Sequence, residues 1–179
     1  MKQQIIECVP NISEGRDLKK INLIAHVVKE VEGVKLLDID PGKATNRTVI
    51  TFVGEPAQVI EAAFRLIKKA SELIDMSKQT GEHPRFGATD VCPLIPIANI
   101  SMDETANYAH LLGKRVGEEL GISGYYYENA ATKEDRKNLA TVRSGEYEGL
   151  ENKLSDTNWT PDFGPAIYNT NTKSTGVTA

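Results

Sequence analysis

An α/β fold of the α+β kind is what this sequence predicts, and three observations predict it. Short β-branched runs alternate with longer amphipathic stretches. Each amphipathic stretch carries an identifiable start or stop residue. The first six elements follow in the order β-α-β-β-α-β.

Lys2 to Val9 is apolar enough for a strand and ends at Pro10. Leu18, Ile21, Ala25, Val28 and Val31 recur every three or four residues, the stripe of an amphipathic helix, and Gly33 stops it. Val34 to Asp40 and Thr48 to Val53 read as strands, joined through the turn-forming stretch Pro41 to Asn46. Pro56 suits the first position of a second helix, where its missing N–H costs nothing. That helix carries Val59, Ala63, Leu66, Ile67, Ala70 and Ile74. A polar loop, Ser77 to Gly87, leads to an apolar run from Ala88 to Ile97, where Pro93 and Pro96 predict an edge or a bulge.

Ser101 and Glu104 have the spacing of a capping box, opening a helix that runs to Leu120 and stops at Gly121. Tyr125 to Tyr127 reads as a short strand, and Thr132–Leu139 and Glu146–Leu154 as short surface helices. Residues from about 155 to 179 form an irregular tail rich in Thr, Asn, Pro and Gly. The order of elements is that of a ferredoxin-like unit, extended by a further helix and strand. The expectation is one domain over residues 1–179, with a mixed sheet and helices packed on one face.

Composition narrows the function classes. With 179 residues, 40% of them hydrophobic and 26% charged, the chain suits a globular domain that folds without a disulfide or metal. Its formal net charge of −4 argues against a nucleic-acid binder, whose footprint is basic. An anionic substrate remains compatible with a local basic pocket. No apolar run approaches the roughly 18 residues of a membrane span. The N-terminal apolar run breaks at Glu7, unlike a signal peptide. Cys8 and Cys92 form no CxxC spacing and read as buried thiols, which places the protein in the cytoplasm. The triplets at Asn11 and Asn46 read as chance glycosylation matches. GxGxxG, P-loop, GxSxG and HExxH patterns are absent, so no nucleotide fold or metal site is expected.

Of three histidines, His26 and His110 fall inside helices and read as packing or surface residues. His83 lies in Thr80-Gly81-Glu82-His83-Pro84-Arg85-Phe86-Gly87, a loop dense in Gly, Pro and charge. Loops on a rigid sheet are where catalytic groups concentrate, and histidine titrates near neutral pH. The plainer reading is a turn histidine bonded to backbone. Asp38 and Asp40 alternate in register along one strand. Asp40, at the strand end, either orients a histidine or caps its turn. Arg16, Arg47 and Arg85 sit in or beside loops, each able to clamp a carboxylate or to serve as a solvated or structural charge. Trp159 to Pro165 is either a surface for a flat ring or a latch for the tail.

Six stretches together resemble the N-terminal subdomain of the glutamate formimidoyltransferase family. They are Glu7–Arg16, Asp40-Pro41-Gly42, Asn46–Gly54, Gly81–Arg85, Gly87–Pro93 and Arg143–Glu148, and Trp159–Pro165 continues the match. The resemblance implies a ferredoxin-like subdomain with His83 at the family's catalytic histidine. It places folate contacts on Gly164, Pro165, Ala166, Ile167, Tyr168, Asn169, Thr170, Asn171, Thr172 and Lys173. The tail departs from the family pattern after Pro165.

The implied reaction moves a formimino group from N-formiminoglutamate to tetrahydrofolate, a co-substrate, with no metal. It belongs to histidine degradation and one-carbon metabolism. His83 is then the general base, Asp40 orients it, and Arg16, Arg47 and Arg85 hold carboxylates. The family binds folate between this subdomain and a C-terminal one. A complete groove is therefore expected to need a second subdomain or subunit, and a homodimer is the expected oligomer. Two alternatives stand beside this: a homologue acting on 5-formyltetrahydrofolate, and a non-catalytic folate-binding or structural protein.

Overall fold

The computed structural model describes residues 2–168 and 177–178. The first expected strand forms as β1 (Ile5–Cys8), and past Pro10, where it was expected to end, the chain adds a second short strand, β2 (Asn11–Ile12). Helix α1 (Leu18–Lys29) follows, then the hairpin β3 (Val34–Gly42) and β4 (Arg47–Gly54), and then α2 (Pro56–Leu73). The fourth expected strand splits into β5 (Thr89–Val91) and β6 (Leu94–Ala98), with Cys92-Pro93 at the break. Helix α3 (Met102–Arg115) continues into a π-helical turn, Val116–Leu120, ended by Gly121 in the left-handed region.

Local chemistry accounts for these boundaries. Asp17 caps α1, its carboxylate accepting from the Lys19 and Lys20 amides at 3.0 and 3.1 Å. Pro56 opens α2. The capping box forms as spaced: Ser101 Oγ accepts from the Glu104 amide, and Glu104 accepts from the Ser101 amide at 2.8 Å.

β4 lies at the centre of the sheet. It pairs with β3 on one side and with β1 and β2 on the other, and β6 and β5 pair outside β1 and β2. Every one of these pairings is antiparallel, where a mixed sheet was expected. The reason is the crossover. Helix α1 carries the chain from β2 past β4 to β3, and α2 carries it from β4 past β1 to β5 and β6. Parallel strands therefore never become neighbours.

Alternation along β4 buries Thr48, Ile50, Phe52 and Gly54 and leaves Arg47, Val49, Thr51 and Val53 partly open. Ile6, Cys8, Ile12, Ile50 and Phe52 meet the apolar stripes of α1 and α2 in the main core. A second cluster, Phe86, Val91, Tyr125, Tyr127, Val142, Leu150 and Leu154, gathers beside β5. Val91 stands opposite Asn11, whose neighbour Ile12 belongs to the main core. The chain beyond α3 contributes to both clusters: Ile122, Tyr126, Ala130, Tyr147 and Phe163 to the main core, and Tyr125, Tyr127, Val142, Leu150 and Leu154 to the second.

The strand expected at Tyr125–Tyr127 forms as β7 (Gly124–Tyr125). In place of a helix over Thr132–Leu139 there is a 3-10 turn at Glu134–Arg136 followed by α4 (Leu139–Val142), and the helix expected at Glu146–Leu154 forms as α5 (Leu150–Ser155). Within the expected irregular tail, β8 (Val177–Thr178) pairs in parallel with β7. Trp159 to Pro165 acts as a latch. Phe163 is buried, its carbonyl accepts from the Gly124 amide at 3.0 Å, and Arg136 pairs with Asp162. The two thiols lie 3.6 Å apart, free and buried, where the interrupted strands pass each other. None of the helices among the described residues is long and apolar enough to cross a membrane.

Candidate functional site

Three loops meet where β4 begins, and Asn46 joins them. Its Oδ1 accepts from the Gly15 amide at 2.9 Å, its Nδ2 donates to the Thr80 carbonyl at 2.8 Å, and its own carbonyl accepts from Gln79 at 3.0 Å. It adopts φ 49°, a conformation that asparagine tolerates better than most residues. Ser13 adds a bond from its Oγ to the Gly87 carbonyl at 2.7 Å. The loop bearing His83 is thereby tied to the sheet at both ends.

His83 is half-buried. Its Nδ1 lies 2.7 Å from the Pro84 carbonyl and 3.0 Å from Arg47 Nη1. Its Nε2 makes no hydrogen bond among the described residues. Arg47 projects from the first position of β4. Its Nε donates to Asn11 Oδ1 at 2.9 Å, and its Nη1 donates to Asp90 at 2.6 Å. Desolvation lowers the Arg47 pKa from its ordinary value, and the charge of Arg143 adds to that, while Asp90 opposes both.

Asp90 is fully buried and accepts from both Arg47 and Arg143, and its Oδ1 takes the Phe86 amide at 2.8 Å. A bulge puts it there. Asn11 pairs with Val91 and Ile12 with Thr89, so Asp90 is the extra residue of β5. Such an insertion re-aims a side chain that strict alternation would have sent elsewhere.

The structure places the sequence-derived candidates unevenly. Arg47 and His83 come together. Asp40 does not join them: it stands exposed in β3 opposite Val49 and makes no hydrogen bond to the imidazole. Orientation of the ring falls instead to Arg47 and Pro84.

Arg85 turns away from His83. It bonds to Gln79 Oε1 at 2.6 Å, to Glu146 at 3.0 Å and to Glu148 at 2.6 Å, and those two carboxylates hold its pKa up against desolvation. It fastens the loop to the segment before α5. Arg16 is exposed, with its Nε donating to the Lys43 carbonyl at 3.1 Å.

Gly164, Pro165, Ala166 and Ile167 form an exposed run after the latch. Tyr168 meets the Tyr147 hydroxyl at 2.8 Å, and the Tyr147 amide donates to the Arg85 carbonyl. This run therefore connects back to the His83 loop. Asn169, Thr170, Asn171, Thr172 and Lys173 lie outside the described residues.

Sequence reasoning missed Asp90 and Arg143 as site residues. Both sit in stretches that carry the family resemblance, Gly87–Pro93 and Arg143–Glu148. What assigns them is register and a 53-residue contact, neither of which a local pattern encodes.

An antiparallel α+β domain with a pinned loop histidine at one end of its sheet is suited to moving a proton on a small molecule. Comparison with known proteins is more specific. The family described as the formiminotransferase domain, N-terminal subdomain, matches residues 5–179, and the chain belongs to that family. It is 52% identical over 165 residues to a formimidoyltransferase-cyclodeaminase of Dictyostelium discoideum, covering 92% of this chain and 31% of that protein. It is 47% identical over 165 residues to a glutamate formimidoyltransferase of Thermoplasma acidophilum, covering 91% of this chain and 54% of that protein. A glutamate formimidoyltransferase of Streptococcus pyogenes is 46% identical over 161 residues, with 90% and 54% covered. The chain thus spans about half the length of these transferases and about a third of the bifunctional relative.

Proposed function

We propose that this chain is the histidine-bearing half of a folate-dependent formimino transferase, taking N-formiminoglutamate and tetrahydrofolate as substrates in the cytoplasm. The observation that carries the reading is the state of His83. One ring nitrogen is committed to protein partners, and the other is available at the mouth of three converging loops.

The chemistry needs such a group. N5 of tetrahydrofolate attacks the amidine carbon and must lose a proton. His83 Nε2 takes that proton and returns it to the departing glutamate nitrogen. The C–N bond to glutamate breaks as the bond to N5 stands formed, so no covalent enzyme intermediate is required. A positioned general base contributes about 10²–10⁴-fold. Arg16, exposed beside these loops, is the arginine best placed to meet a substrate carboxylate. The run from Gly164 through Tyr168 to Lys173 supplies the folate contacts.

The open face of the sheet supports a second half. Ile95 and Ile97 are exposed there, 37% and 54%, on edge strand β6, with Glu7 of β1 standing between Ile95 and half-buried Val53 of β4. A partner of similar size covers this face and completes the folate groove. Association of two copies of this chain is the competing arrangement.

Turnover is tested by adding both substrates and following glutamate release, with and without the second half of a relative. His83→Ala is expected to lower kcat by about 10²–10⁴-fold with folate affinity retained. Unchanged turnover in that variant removes His83 from the reaction. Release of formate or an adenine-nucleotide requirement with 5-formyltetrahydrofolate would favour the formyl substrate instead.

A further inference from the structure

Nδ1 of His83 faces two partners of opposite kind. The Pro84 carbonyl, at 2.7 Å, can only accept a hydrogen bond. Arg47 Nη1, at 3.0 Å, can only donate one, because a guanidinium does not lose its proton in a protein. A neutral imidazole carries one N–H and one lone pair. With the proton on Nδ1, the carbonyl is served and Nε2 presents a lone pair. With the proton on Nε2, Nδ1 receives the Arg47 hydrogen and Nε2 presents an N–H.

Arg47 can play this part because Asp90 restricts it. Nη1 has two hydrogens. Asp90 takes one at 2.6 Å, which leaves the other directed at the Nδ1 and Pro84 oxygen pair, the oxygen lying 3.5 Å away. When Nδ1 carries the proton, this hydrogen can turn to the same carbonyl. Asp90 is itself fixed, fully buried in a bulge, bonded to the Phe86 amide and shared with Arg143. Asn11 holds the remaining Nε–H of Arg47 in plane.

We propose that Asp90 is a positioning residue that holds Arg47 against His83, so that Nδ1 has a hydrogen-bond partner in either neutral tautomer. Nε2 can then be offered as acceptor or as donor without a ring flip. When Nε2 takes a proton from the substrate the ring becomes the imidazolium, with Nδ1–H on the Pro84 carbonyl, and the same Nε2–H is then delivered to the departing nitrogen. The Arg47 contact sets how much of the neutral ring is in the Nδ1–H form that acts as base. Arg143 shares the carboxylate with Arg47 and so limits how firmly Arg47 is held. The inference rests on His83 being the reactive group, but the tautomer balance is a property of the chain without substrate.

The test is nitrogen NMR on the chain labelled with ¹⁵N-histidine, at alkaline pH. The Nδ1 and Nε2 shifts give the tautomer ratio directly. The wild type is expected to show both tautomers in exchange. Arg47→Met removes the donor and should raise the ratio of the Nδ1–H to the Nε2–H tautomer about fivefold, the change that loss of one ordinary hydrogen bond produces. Asp90→Asn should move the ratio in the same direction. Arg143→Met removes one competitor of Arg47 for the Asp90 carboxylate and should move it the other way.

Unperturbed His26 and His110 signals report that a variant is folded. A folded Arg47→Met with the wild-type ratio overturns the proposal. Should Asp90→Asn not fold, a folded Arg143→Met with the wild-type ratio overturns the part assigned to Asp90. A chain that shows these shifts yet fails to turn over both substrates when a competent second half is present would sink the transferase reading and leave the positioning inference intact.

Discussion

Lys153 brings an ammonium into the second cluster with no carboxylate partner among the described residues. Its Nζ donates to the Val142 carbonyl at 2.5 Å and lies 4.3 Å from the centre of the Trp159 ring. Desolvation first, and the charge of Arg136 second, lower its pKa from the ordinary 10.5 to about 8. The sign of the stability effect follows. Below pH 8 the lysine is protonated whether the chain is folded or not, and its burial penalty is constant. From pH 8 to 10.5 the unfolded chain holds a proton that the folded chain does not, so this residue's contribution to stability rises with pH. Lys153→Met should lack that rise. The expected gain for Lys153→Met at neutral pH is on the order of 1 kcal/mol, because loss of the Val142 bond offsets part of the relieved desolvation. Urea titrations of both proteins across this range should show the gap between them closing as pH increases. A gap that stays constant contradicts the assignment.

At the scale of elements, the site depends on how closely loops can approach. A Cβ on Gly15 would lie 2.3 Å from the Gly42 carbonyl oxygen and 2.5 Å from the Arg47 amide nitrogen. Both are backbone atoms of the hairpin that carries Arg47, so no side chain can move aside. Gly15→Ala should therefore push the first loop off β4 and break the Asn46 bond to the Gly15 amide. The expected cost is about 1–3 kcal/mol, typical of overpacking, read as a lower denaturation midpoint. The positions of the helices and strands were legible in the sequence because periodicity and caps are local: Pro56 and Ser101 start helices where they were expected to, and the stripe beginning at Leu18 forms α1. Asp40 was a sound candidate by the same local logic, and register placed it on an exposed strand end away from the imidazole. Arg85 was a candidate substrate clamp by the same local logic; Glu146 and Glu148, more than 60 residues along the chain, claimed it.

At the scale of the whole molecule, the open sheet face is the feature with consequences for assembly. Ile97 is more than half exposed in edge strand β6, so Ile97→Glu should leave the fold and the denaturation midpoint within about 0.5 kcal/mol of the wild type, as surface changes usually do. The same change should weaken association with a second half, measured by sedimentation, because it buries a charge in the proposed contact. Equal sedimentation of wild type and variant in the presence of that half would place the contact elsewhere.

The amino-acid sequence by itself determined the α/β class, the order of the elements, and the loop on which His83 stands. Hydrophobic period, capping chemistry and turn residues act over a few positions, and so they can be read in a single pass along the chain. Only the tertiary structure decided that Arg47 and Pro84, rather than Asp40, hold the imidazole, and that Asp90 stands behind them. A one-residue bulge in β5 and a contact spanning from Asp90 to Arg143 make that arrangement. Both arise from how strands register and where distant loops meet, and local sequence does not encode either.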